Sequence, residues 1–175
     1  GHSTAEDFYR AINKTQPSYI RVEADELTYN FHIILRFELE QAMLNGDLAV
    51  ADLPVAWADK MRSLLGVTPP DDRQGCLQDV HWSRPGFGYF PTYALGNLYA
   101  AQFFETAAAQ DSSVTEELDR GQTGALLNWL RQNIHRHGKK FVPGELVQRV
   151  TGRPLSHDAF MRYATAKFSD LYGLN

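Results

Sequence analysis

Apolar residues recur along this chain at the three- and four-residue spacing of amphipathic helices, and no segment keeps the two-residue alternation of a strand. Thr4 or Ser3 can cap a short helix through Asn13, with Glu6 and Asp7 in its first turn, before Gln16-Pro17-Ser18 breaks it. The longest pattern predicts a helix over Glu23–Asn45, stopped by Asn45-Gly46. Ala24, Leu27, Phe31, Ile34/Leu35, Leu39 and Ala42/Met43 form one stripe along it, and Tyr29, Ile33 and Phe37 form a second. Two apolar faces predict neighbours on both sides. Asp52-Leu53-Pro54 opens a helix to about Leu65. Pro91 opens another, across a run from Phe87 to Gln110 whose only charge is Glu105. Asn97, Gln102 and several threonines in that run fit a buried core helix rather than a membrane span. Shorter helices are predicted at Thr115–Arg120, at Thr123–His135 with Leu126, Leu127, Leu130 and Ile134 inward, and from Val142-Pro143-Gly144-Glu145 to Gly152. Ser156 caps a last one, through Tyr172. The expected fold is all-α, a compact multi-helix unit with short connections.

Composition narrows the function classes. A chain of 175 residues with 43% apolar content can bury a core, and a net charge of -4 argues against nucleic acid or an anionic membrane as its partner. The single cysteine, Cys76, rules out an internal disulfide and a CxxC metal site, and it fits a reducing, cytoplasmic setting. Gly1-His2-Ser3 reads as the scar of a cleaved expression tag, leaving residues 4–175 as the helical region.

Two passages carry candidate chemistry. In Ile20-Arg21-Val22-Glu23-Ala24-Asp25-Glu26, three acids fall in the predicted first turn of the long helix, where the positive helix pole accounts for them. Arg21 opposes that pole and needs another reason, either a buried carboxylate or a substrate anion. The second passage, Gly75–Tyr93, gathers Gln78, Asp79, His81, Trp82, Arg84, Tyr89 and Tyr93 among glycines and prolines. Two readings stand for it: an ordered loop whose aromatics plug the core while Asp79 caps a turn, or a site that binds and polarises a ligand. In the second, His81 hydrogen-bonds or protonates an oxygen, Tyr89 and Tyr93 offer phenolic donors, and Asp79 orients the imidazole. His135-Arg136-His137-Gly138-Lys139-Lys140 lacks an accompanying Cys or acid and reads as helix-end cations, not a metal site. Phosphate-binding glycine loops and Ser-His-Asp signatures are absent.

Together the two passages resemble the carboxypeptidase Taq family of zinc carboxypeptidases. Ile20-Arg-x-x-Ala-Asp25 looks like that family's [I/V]RxxAD motif, and Gly75-x-x-Gln78-Asp79-x-His81-Trp82 looks like its GxxQDxHW motif. The resemblance extends over Thr4–Asn175. The family builds its metal site on a His-Glu-x-x-His helix, and this chain contains no His-Glu pair: His32 precedes Ile33, His81 precedes Trp82 and His157 precedes Asp158. The resemblance therefore implies the C-terminal portion of a larger helical zinc-peptidase fold. Zinc is expected in the complete enzyme and no metal in this chain.

Carried over residue by residue, the resemblance implies that His81 stabilises the tetrahedral intermediate at the scissile carbonyl, helped by Tyr93 or Tyr89. Arg21 would hold the peptide C-terminal carboxylate. Gln78, Asp79, Trp82 and Arg84 complete the substrate-binding set, with Gln78, Asp79 and Trp82 shaping the His81 loop. The partners implied are peptide C-termini, the missing N-terminal zinc-binding part and a second copy in a homodimer, without nucleic acid or membrane. Alone, the chain is expected to be inactive. The alternative is a non-catalytic helical module that keeps the fold and grips peptides without cleaving them.

Overall fold

Thr4 begins the first helix, α1 (Ala5–Ile12), through a capping box: its side chain accepts from the Asp7 amide, and the Asp7 carboxylate accepts from the Thr4 amide. The computed structural model describes residues 4–174, whose regular elements are helices, with no strand among them. The tag scar assigned to Gly1-His2-Ser3, and with it the Ser3 cap, lies outside the described residues. No helix among the described residues is long and apolar enough to cross a membrane.

The chain divides into two compact units, Gly1–Ala94 and Leu95–Asn175. In the first, a 3-10 turn at Arg21–Glu23 precedes α2 (Thr28–Asn45), and α3 (Leu53–Leu65) packs against α2. The long helix thus starts five residues later than its apolar pattern predicts. Asp25 causes the delay: its carboxylate accepts from the Leu27 and Thr28 amides, both at 3.0 Å, from the Thr28 hydroxyl at 2.7 Å, and from the Gln16 amide at 2.9 Å. Burial acts to raise its pKa, but these hydrogen bonds outweigh burial and hold the carboxyl below its ordinary value. Asp25 is a cap, not a first-turn acid. Asp52, at the cap position that the Asp52-Leu53-Pro54 start implies, makes no side-chain capping bond to α3.

The core of this unit joins Leu35 and Leu39 of α2 to Leu53, Trp57, Met61 and Leu65 of α3, with Cys76 beneath. Burial raises the Cys76 thiol pKa, as suits a structural cysteine. The second predicted stripe of α2 is divided. Ile33 is buried, whereas Phe37 lies about two-fifths exposed, as do Phe31 and Ile34 of the first stripe.

In the second unit, α4 (Pro91–Gln110) continues from its first turn, followed by α5 (Ser113–Asp119), α6 (Gly124–Asn133), α7 (Pro143–Thr151) and α8 (Asp158–Tyr172). Ala107, Val114 and Trp129 form its core, and the Trp129 indole donates to Gln110 at 2.8 Å. Two expectations need correction here. Of α4 only Gln102 and Ala107 are fully buried, so it is a half-covered helix. On α6, Leu127 faces outward and Trp129 takes the interior position.

Candidate functional site

The passage Gly75–Tyr93 folds against α2, and the two elements meet through a buried polar network. Asp79 sits between two arginines. Arg21 donates through Nη2 at 2.6 Å and Nε at 3.2 Å to Oδ1, and Arg36 donates through Nε at 2.6 Å to Oδ2. Their side chains are 7%, 0% and 11% exposed for Arg21, Arg36 and Asp79, so two cations share one carboxylate in the interior. Burial acts to raise the Asp79 pKa, but the Arg21 hydrogen bond and the Arg36 charge outweigh it and depress the carboxyl. Burial brings Arg36 down to about 10 in spite of Asp79.

Gln78 completes the network. Its Oε1 accepts from the Arg21 amide and from Arg36 Nη2, both at 2.8 Å. Its Nε2 donates to the carbonyls of Tyr19, Gln74 and Gly75. Arg36 also lies 4.6 Å from the Trp57 ring centre, and Arg21 lies 5.0 Å from that of Tyr93. Arg21 therefore faces a buried carboxylate, the first of the two reasons its position demanded. Its guanidinium is engaged with Asp79 and Tyr29 in the interior.

His81 stands at the edge of this network. Its Nε2 lies 3.2 Å from the Tyr93 hydroxyl, and its Nδ1 lies 3.7 Å from Asp79, beyond hydrogen-bond reach. The ring packs on Phe90 at 4.3 Å and on Tyr89 at 5.6 Å between centres. Burial raises the Tyr93 pKa, so its phenol keeps its proton and can donate. Tyr89 is half exposed, and Arg84 is exposed with no ion pair among the described residues. The loop closes tightly: a Cβ on Gly86 would meet the His81 carbonyl at 2.9 Å, and Gly88 takes a left-handed backbone at φ +74°.

The buried face of α2 is the part that sequence reasoning missed. His32 and Arg36 are 0% exposed and Glu40 is 3% exposed, all on α2. Glu40 accepts from the Trp82 indole at 2.7 Å and from the Gly88 amide. Tyr29 accepts from Arg21 at 3.1 Å. The one trace of that face in the sequence is a spacing that apolar periodicity does not register: His32, Arg36 and Glu40 recur every four residues, as on one helix face. His81 and Tyr93, partly buried, and Tyr89, half exposed, are the donor-bearing groups at the edge of the network. Gln78, Asp79 and Trp82 bond instead to Arg21, Arg36 and Glu40.

Residues 1–168 match the family described as carboxypeptidase Taq (M32) metallopeptidase, and the chain belongs to that family. It is 51% identical over 173 residues to thermostable carboxypeptidase 1 of Thermus thermophilus, covering 99% of this chain and 34% of the relative. With carboxypeptidase 1 of Bacillus subtilis it shares 44% identity over 167 residues, covering 95% and 33%. Among solved structures, a carboxypeptidase of the same family from Deinococcus radiodurans superposes with a TM-score of 0.94 at 44% identity, over 97% of this chain and 34% of that one. Trypanosoma cruzi metallocarboxypeptidase 1 gives 0.89 at 36% identity, over 93% and 34%. The chain spans about a third of the length of the relatives it matches. Among the described residues no cluster of three His, Cys, Asp or Glu side chains could hold a metal ion, so these residues do not fit the metal that the family description implies.

Proposed function

We propose that this chain supplies the carbonyl-polarising side of a carboxypeptidase active site that releases single C-terminal amino acids from peptides. The observation that carries this is the His81–Tyr93 pair, at 3.2 Å, beside a buried Arg–Asp–Arg network in a chain of a metallopeptidase family. In this reading His81 donates to the oxygen that gains charge as the scissile carbonyl is attacked, and Tyr93 or Tyr89 adds a phenolic donor. Arg21, or Arg84 exposed on the His81 loop, takes the peptide carboxylate. The metal of the complete enzyme is zinc, held by residues outside this chain. A lone buried cysteine fits a cytoplasmic enzyme.

The isolated chain supplied with zinc and an N-blocked dipeptide is expected to release no amino acid. Activity should appear when the chain replaces the matching third of the Thermus thermophilus relative. In that chimera His81→Ala is expected to lower kcat by about 10²–10³-fold, the loss typical of one oxyanion donor. Undiminished turnover in His81→Ala would overturn the reading. Chelator-sensitive release by the isolated chain would remove its premise that the chemistry is divided.

The exposed Phe31, Ile34 and Phe37 of α2 are the surface we assign to self-association of the isolated chain as a homodimer. Sedimentation at rising concentration should show a dimer that Phe37→Glu weakens; a monomer throughout counts against the assignment.

A further inference from the structure

We propose that Glu40 is a positioning residue for the His81–Tyr93 pair, acting by clamping both ends of the loop between Trp82 and Gly88. The inference rests on the catalytic reading of His81 and names the group that sets its geometry. Trp82 directly follows His81, and Gly88 directly precedes Tyr89. One carboxyl group holds both: Oε2 accepts from the Trp82 indole and Oε1 from the Gly88 amide, across 42 and 48 residues of chain. The intervening loop has little else to fix it. Ser83, Arg84, Pro85 and Phe87 are exposed, and its backbone bonds, Arg84 to Val80 and Gly86 to His81, are internal to the passage.

Glu40 itself is 3% exposed and sits on α2, four residues beyond Arg36, so the clamp and the Arg–Asp–Arg network project from one rigid helix. Trp82 is wedged between Trp57 and Phe90, with ring centres 6.1 and 5.7 Å away. The Trp82 end is therefore packed as well as bonded. At the other end the carboxyl is the hydrogen-bond acceptor of the Gly88 amide, one residue before Tyr89 and five before Tyr93. A buried acid that touches no substrate position but ties down both neighbours of the polarising groups acts through their placement.

The test uses the isolated chain and the chimera. In the chain, the Gly88 amide and Trp82 indole protons should exchange slowly with deuterium, and Glu40→Gln should speed one of them. The amide oxygen of Gln can accept from one donor, while its NH₂ faces the other. Unchanged exchange at both sites overturns the clamp.

In the chimera, Glu40→Ala is expected to lower kcat by about 10²-fold with KM altered less than about twofold. Glu40→Gln should fall between it and the parent. Glu40→Ala combined with His81→Ala should be no slower than His81→Ala alone, because both remove one function. Losses that multiply in the double variant would overturn the proposal. If His81→Ala itself is harmless, the catalytic reading fails, and proton exchange in the isolated chain still decides the clamp.

Discussion

Replacing Asp79 by alanine is expected to lower the free energy of unfolding by about 3–5 kcal/mol, a large part of the roughly 5–15 kcal/mol that holds a typical domain together. The reason is what remains behind. Arg36 has no exposed side-chain surface and Arg21 has 7%, and both guanidinium groups direct their shortest bonds at this one carboxylate. Without it two cations stay in the interior with Gln78 and Tyr29 as neutral partners. Asp79→Leu combined with Arg36→Met should be less damaging than Asp79→Ala, since it withdraws one stranded charge. Urea denaturation near neutral pH measures both. A change below about 1 kcal/mol for Asp79→Ala would mean that water reaches the arginines and the network is not closed.

The same carboxylate sets a sign for acid sensitivity. The Asp79 pKa in the folded chain lies below its ordinary value of 3.8. Its contribution is therefore full above that value and is lost as pH falls through the depressed pKa. That places the loss from Asp79 at strongly acidic pH, below the window in which a buried histidine acts.

How much of this was legible in the sequence depends on range. Helix ends governed by neighbours were readable: Gly46, Gly66 and Gly152 stop α2, α3 and α7 where the pattern ends. The start of α2 was misplaced because the apolar pattern runs through Ala24 and Leu27, while the Asp25 side chain claims the amides that a continuing helix would use. Arg21 was identifiable as anomalous from the helix pole alone, and Asp79 was flagged in the other passage. Their pairing, 58 residues apart, has no local signature. Arg36 and Glu40 were invisible for a different reason. Apolar periodicity registers hydrophobic positions, and a polar residue on a helix is taken as solvent-facing unless a distant partner is known. The motif loop was recognisable by its density of functional groups, whereas the helix face that holds it was not.

Stability is expected to fall by about 2–3 kcal/mol as pH drops from 6.5 to 4, and His32→Leu should abolish that fall. His32 is wholly buried, and neither ring nitrogen has a hydrogen-bond partner among the described residues. Burial first, then the charges of Arg36 and Arg21, bring its pKa down to about 4, while Asp79 and Asp25 oppose the shift. Between 6.5 and about 4 the unfolded chain takes up a proton at this residue and the folded chain does not, so unfolding gains as pH falls. Above 6.5 the imidazole is neutral in both states and the effect vanishes. Leucine fills the site without a titrating group or an unpartnered nitrogen, so little change is expected at pH 7.5 and a clear advantage at pH 4.5. Urea midpoints of the parent and His32→Leu at the two pH values make the comparison. An equal loss in both proteins between those values would place the acid sensitivity elsewhere and show that the imidazole can acquire its proton without leaving the fold.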